Sequence, residues 1–213
     1  MRFDVGVALV LALAACESKS VRHLDLEKIV VTSEAKLRTD TVGEGQFAQR
    51  ATFVLVDAEN KSLQGAIVTL GGQLTDGSGA VVGEFKPQSL WIPGNDERTY
   101  ALVDLAQAER PDARAARIVV RSATIPDFDP VARVDQIHEL TDDGKLVVQG
   151  IVHNDADRPG QIEVIASFHA ADRTPVTRPF TLVRVPAHAT QAVQFVSPPG
   201  AAHGTIFVGD TSF

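Results

Sequence analysis

From residue 51 onward, apolar residues recur two apart in short runs separated by polar turns. Val54, Val56 and Ala58 form one set, and Val68, Leu70, Gly72 and Leu74 the next. The pattern returns 94 residues later as Val148, Gly150 and Val152, followed by Ile162, Val164, Ala166 and Phe168. The alternate positions hold Asp57, Glu59, Thr69, Gln73, Glu163, Ser167 and His169. Successive side chains of a strand point to opposite faces, so a period of two predicts strands with one apolar and one solvent-facing side. Turns rich in Gly, Asp and Pro at a spacing of about eight to twelve residues complete the pattern of an antiparallel β-sandwich. The expected fold class is all-β.

The two sets belong to a longer repeat. Residues 51–60 match 145–154, with Asn60 and Asn154 at the ends, and residues 66–74 match 160–168. Leu90-Trp91-Ile92-Pro93 matches Val183-Arg184-Val185-Pro186, residues 100–102 match 193–195, and residues 118–120 match 206–208. A leading strand also repeats, Val21 to Val31 resembling Val131 to Leu140. The reading predicts one sandwich over 21–122, a linker over 123–130 stiffened by Pro126 and Pro130, and a second sandwich over 131–213. The stretch from Val103 to Ala116 is polar on most faces and is expected to be a loop. Asn60 and Asn154 sit where an Asn side chain closes a turn by bonding its own backbone two residues on.

The N-terminus follows another rule. An early Arg2 precedes an apolar run from Val5 to Ala15, too short for a membrane span of about 20 residues, and the run stops at Cys16, the single cysteine. Leu13-Ala14-Ala15-Cys16 resembles the lipobox of a bacterial lipoprotein signal peptide. The resemblance implies that residues 1–15 are removed, that Cys16 is acylated, and that 16–20 form a short tether. Two or three acyl chains hold a protein stably on a bilayer where one does not. Glu17 stands where many inner-membrane lipoproteins of Gram-negative cells carry Asp, which directs the expectation to the outer membrane.

Each half resembles the small immunoglobulin-like module of bacterial envelope proteins known as the FxLYD type. Gly150-Ile151-Val152-His153-Asn154 fits its first strand, and Val56-Asp57-Ala58-Glu59-Asn60 keeps the Asn without the Gly. Pro93-Gly94 fits its late turn, and Pro186-Ala187 keeps the Pro. The resemblance implies two tandem immunoglobulin-like sandwiches and names no active site.

The net charge is −7, and removing residues 1–15 takes one acid and one base and leaves it there. Without a Lys/Arg cluster, nucleic acid is not an expected partner, since its affinity depends on phosphate neutralisation. Without a second cysteine the fold must rest on core burial, which about 198 residues allow. There is no Gly-x-Ser-x-Gly elbow and no His-Glu-x-x-His pair. His153 and His169 share the outward register of the second copy and become neighbours if their strands pair, offering with Glu163 a two-His site. The acidic turns at 76–79, 142–144 and 155–157 supply at most two carboxylates each, short of the six to eight oxygens of calcium, and match hairpin turns. No catalytic, cofactor-binding or metal-ligating residue is assigned, and Cys16 is the one modified residue expected.

Val147, Ile151, Ile165 and Phe207 are apolar on the outward register of the second copy. They predict a covered face, either against the first sandwich or against a partner. Trp91 is expected to plug a sheet edge. The functional expectation is a membrane-anchored envelope lipoprotein, held to the bilayer through acylated Cys16 and acting as a non-enzymatic scaffold that binds a protein or polymer. The alternative is a solute- or metal-binding accessory lipoprotein using the His153/His169 face.

Overall fold

The computed structural model describes residues 21–43, 46 and 48–213. Cys16 and the leader lie outside the described residues. In chain order the first half forms β1 (Arg22–His23), a 3-10 turn (Leu26–Lys28), β2 (Ile29–Val31), β3 (Leu37–Val42), β4 (Gln49–Asn60), β5 (Ala66–Thr75), β6 (Val81–Glu84), β7 (Gln88–Ile92), β8 (Asp96–Val103) and β9 (Ala115–Ile125). The second half forms β10 (Ala132–Asp142), β11 (Lys145–Asn154), β12 (Gly160–His169), β13 (Pro175–Thr177), β14 (Phe180–Val185), β15 (Thr190–Val196) and β16 (His203–Ser212). The fold is all-β, and every pairing between these strands is antiparallel. No helix among the described residues is long and apolar enough to cross a membrane.

The repeat in sequence is a repeat in topology. In the first half β4 pairs with β2, β3 and β8, while β5 pairs with β6, β7 and β9. In the second half β11 pairs with β10 and β15, while β12 pairs with β13, β14 and β16. Each half is therefore two sheets facing each other, with the alternating apolar residues between them. Val54, Val56, Val68, Leu70, Leu74, Tyr100 and Leu102 fill one core, and Val148, Val152, Ile162, Val164, Ala166, Phe168 and Ile206 fill the other. Each large aliphatic or aromatic side chain so buried contributes about 1.5–3 kcal/mol.

The leading strand departs from the expected correspondence. β10 pairs with β11 along its length except for a bulge between Asp135 and His138, where Gln136 takes φ 50°. In the first half the same work is split. β2 covers Ala58–Asn60 and β3 covers Gln49–Val54, with residues 32–36 looped out between them. The equivalent of β10 is thus β2 plus β3, so that only Ile29–Val31 of the expected Val21–Val31 belongs to it, because register is set by pairing to the Asn-ended strand. β9 also runs on to Ile125, where β1 joins it, so the segment outside strands is 126–131. Residues 104–114 form the expected loop, organised by Asp104, which is buried, receives Arg110 Nε at 2.7 Å and accepts the amides of Ala106 and Ala108.

The two sheets of each half are stapled at one point. Asn60 ends β4 in one sheet, and its Nδ2 donates to Gln64 O (2.7 Å) and to Ile92 O (3.2 Å) at the end of β7 in the other. Its Oδ1 accepts the amide of Ser62 at 3.0 Å. Asn154 repeats this with Arg158 O, Val185 O and Pro186 O, and accepts the amide of Ala156. Both side chains are fully buried, and neither residue needs positive φ. The positive φ falls instead on Asn95 (56°) and His188 (53°), each three residues beyond the strand ends Ile92 and Val185.

Replacing Asn60 or Asn154 with Ala deletes at least three hydrogen bonds and leaves buried carbonyls unpaired, so each variant should lose about 2–4 kcal/mol. Urea titration followed by tryptophan fluorescence and circular dichroism measures this. A loss below about 0.5 kcal/mol, the range of ordinary surface substitutions, would show that the staple contributes nothing.

Candidate functional site

Asp57 and Ser167 lie on the register that the period of two assigns to solvent, and both are buried. The reason is that the outward faces of β4 and β8 pack on the outward face of β12 and β16, so that the polar register of each half becomes the inside of a junction. Asp57 Oδ1 accepts from Thr99 Oγ1 at 2.5 Å and from His169 Nε2 at 3.1 Å. Thr99 Oγ1 lies 2.5 Å from Ser167 Oγ. A hydroxyl has one proton to donate. Thr99 gives its own to Asp57, and Ser167 gives its own to Thr99.

Apolar residues and cations surround this polar centre. Ile165 and Phe207, from the second half, belong to the core of the first. The Phe207 ring lies between two guanidiniums, with Arg98 Cζ 5.2 Å and Arg178 Cζ 5.8 Å from its centroid, within cation–π range. Arg178 Nε donates to Thr99 O at 2.7 Å, and burial lowers the Arg178 pKa to about 10, so the cation persists at neutral pH. Arg98 Nε and Arg178 Nη2 have no hydrogen-bond partner among the described residues, a desolvation cost that the ring contacts offset in part. Arg38 on β3 reaches across to the carbonyls of Pro175 and Val176.

A serine, a histidine and an aspartate thus meet here, but in an order that does not activate a nucleophile. A triad needs the histidine on the serine hydroxyl. His169 bonds the carboxylate instead, and its 3.5 Å separation from Thr99 Oγ1 is long for a hydrogen bond. Thr99 and Ser167 are closed to solvent. What the arrangement can do is hold the two halves in one orientation. A groove of about 380 Å³ opens at the rim of the junction, bordered by Lys86, Gln88 and Ser89 on one side and by Glu163 and Asp210 on the other.

The structure separates the two histidines that the sequence brings together. β11 and β12 lie in different sheets and do not pair, because the turn after Asn154 carries the chain across the sandwich. His153 Nε2 donates to Asp135 Oδ1 at 2.9 Å, and Arg133 reaches the other ring nitrogen at 3.2 Å. His169 is committed to Asp57, and Glu163 accepts the amide of Asp210. The two-His site is therefore not formed. Among the described residues no group of three or more His, Cys, Asp or Glu could hold a metal ion.

The acidic turns are turns. Asp76 Oδ1 accepts the amides of Ser78 and Ala80 and the Ser78 hydroxyl. Asp143 and Gly144 take φ 48° and 74°, the two-residue hairpin geometry that favours Asp-Gly. Asp155 pairs with Arg133 and Asp157 with His188. Trp91 lies half-buried over Gly65, where a Cβ would come within 2.2 Å of its ring. Of the four outward apolar residues, Ile165 and Phe207 face the first half. Val147 is buried between Leu140 and Val196 on the other sheet, and Ile151 sits half-buried between Asp135 and Ala192. Sequence reasoning missed Arg98, Thr99 and Arg178. The one signal for them was the mixed outward register of β12, where Ser167 and His169 continue the row begun by Ile165.

Asp57→Ala strands the Thr99 hydroxyl, the His169 ring N–H and, through them, Ser167, and should cost about 2–4 kcal/mol. A double-mutant cycle of Asp57→Asn with His169→Gln should give a coupling energy of about 0.5–3 kcal/mol, and a coupling near zero would remove this contact from the junction. At the surface, His153 and then Arg133 hold the Asp135 carboxyl below its usual pKa. Such a depressed group contributes stability above the usual Asp value of about 3.9, lost as pH falls through the lower folded value. Carboxyl ¹³C NMR should therefore show Asp135 titrating below that value and moving up in His153→Gln. Compared with protein-family models and with curated proteins, the chain finds no match in either.

Proposed function

We propose that the chain is a lipid-anchored protein of the bacterial envelope, held through acylated Cys16, that acts as a non-enzymatic scaffold docking a protein or polymer partner. On this reading the two halves are tandem immunoglobulin-like modules of the FxLYD type, and the outer membrane of a Gram-negative cell is the preferred address. The lipobox resemblance supports the anchor. Engagement of His153, His169, Asp57 and the acidic turns in intramolecular bonds supports a structural role for the groups that chemistry would otherwise use.

The observation that carries the docking role is β14. It pairs with β12 on one side, and no strand among the described residues pairs with its other edge. Phe180 is 42% exposed and Leu182 56% exposed on it. An unpaired edge with apolar side chains in solvent is a template for a further strand, and strand addition is a recurrent way for a sheet to bind an extended partner.

Two measurements test this reading. Cys16→Ser should release the protein from the membrane fraction or block its processing, and a variant that stays processed and membrane-bound would overturn the anchor. A photo-cross-linking residue at Leu182 in intact cells should capture one recurrent protein or polymer, while the same residue at Ser78 should not. Recovery of lipid alone from Leu182 would overturn the docking role.

A further inference from the structure

The loops at the Asn60 end of the first half carry a set of large apolar side chains that neither core uses. Leu63 is 88% exposed, Phe128 82%, Val21 62% and Leu26 43%. They come from four segments that hydrogen bonds hold at one end of the sandwich. Lys61 N donates to Lys28 O (2.8 Å) and Asn95 N to Ser62 O (2.9 Å). Arg22 Nη2 donates to Pro126 O (3.0 Å), and β1 pairs with β9 at Thr124 and Ile125, which lie beside the start of β5 at Ile67. The second half packs on the outward sheet face of β4 and β8 and leaves these side chains in solvent. At the opposite end of β5 the turn is Asp76-Gly77-Ser78-Gly79, and the large apolar side chains exposed near it, Val81 (53%) and Leu105 (55%), are both less exposed than Leu63 and Phe128.

We infer that this loop end, with Leu26, Leu63 and Phe128, is the surface that rests on the lipid bilayer. The inference builds on the reading of Cys16 as the acylated anchor, because the length of chain from Cys16 decides which end faces the membrane. Five residue steps separate Cys16 from Val21, a reach of at most about 18 Å when fully extended. β5 has 10 residues, and a strand of that length spans about 33 Å. The end where β1 enters is thus held within reach of the headgroups, and the far turn is not when the sandwich stands upright. The same loops carry Asp25, Glu27, Asp127 and Asp129 beside Arg22, Lys28 and Lys61. That balance lacks the basic excess that draws a protein to anionic lipid. It suits shallow seating of apolar tips at the interface of a zwitterionic bilayer, where binding scales with the apolar area buried.

The test uses the full-length acylated protein in phosphatidylcholine vesicles containing a headgroup-depth nitroxide lipid. Variants Leu63→Cys, Phe128→Cys and, as reference, Ser78→Cys carry an environment-sensitive fluorophore, and mass spectrometry reports the state of Cys16. The expected result is quenching at 63 and 128 at least twofold above that at 78, with a blue-shifted emission at the first two. Equal quenching at all three sites on a protein with acylated Cys16 overturns the inference and leaves the anchor standing. A soluble protein with unmodified Cys16 overturns the anchor and the inference with it.

Discussion

The structure depends on a buried asparagine used twice. A sandwich needs its two sheets held at a fixed offset, and apolar contacts alone are non-directional. Asn60 and Asn154 supply direction. Each ends a strand of one sheet and donates to the last carbonyls of a strand in the other, while its own carbonyl closes the turn that carries the chain between them. Asn suits the task because its amide offers two donors and an acceptor at once. Asp would lack the donors and bury a charge.

Once both halves are stapled in the same way, their outward faces are set, and one pair of those faces becomes the junction. Its composition is that of an interface more than of a core. A carboxylate, two hydroxyls and an imidazole form one chain of hydrogen bonds, and two guanidiniums flank a phenylalanine ring. Such networks are costly when half satisfied and specifying when complete. Because Ile165 and Phe207 enter the core of the first half, displacing the halves would expose apolar area and orphan the polar chain together. Movement of one half against the other is thus opposed by both contributions at once.

Much of this was legible in the residues. The alternation marked the strands β4, β5, β11 and β12 and named nearly every core side chain on them, since burial between two sheets enforces a period of two. The matched Asn, Pro and Gly marked the turns. The leading strand was misaligned because Val21–Val31 carries a similar apolar content, whereas pairing partners, which set register, are distant in sequence. By sequence His153 and His169 are neighbours only if their consecutive strands pair as a hairpin. Here the chain crosses from one sheet to the other.

The class of the fold, its internal duplication, its turns and the two cores follow from local periodicity and from the conformations that Asn, Asp, Gly and Pro accept. The fate of the outward face depends instead on which distant surfaces meet. Asp57, Ser167 and His169 read as solvated polar positions, and they meet at a water-excluded centre because the face opposite them, 68 to 112 residues away in the chain, offers matching hydrogen-bond partners. Polarity along a strand reports what a side chain can bond. Whether water or another strand satisfies it is settled by which surfaces meet.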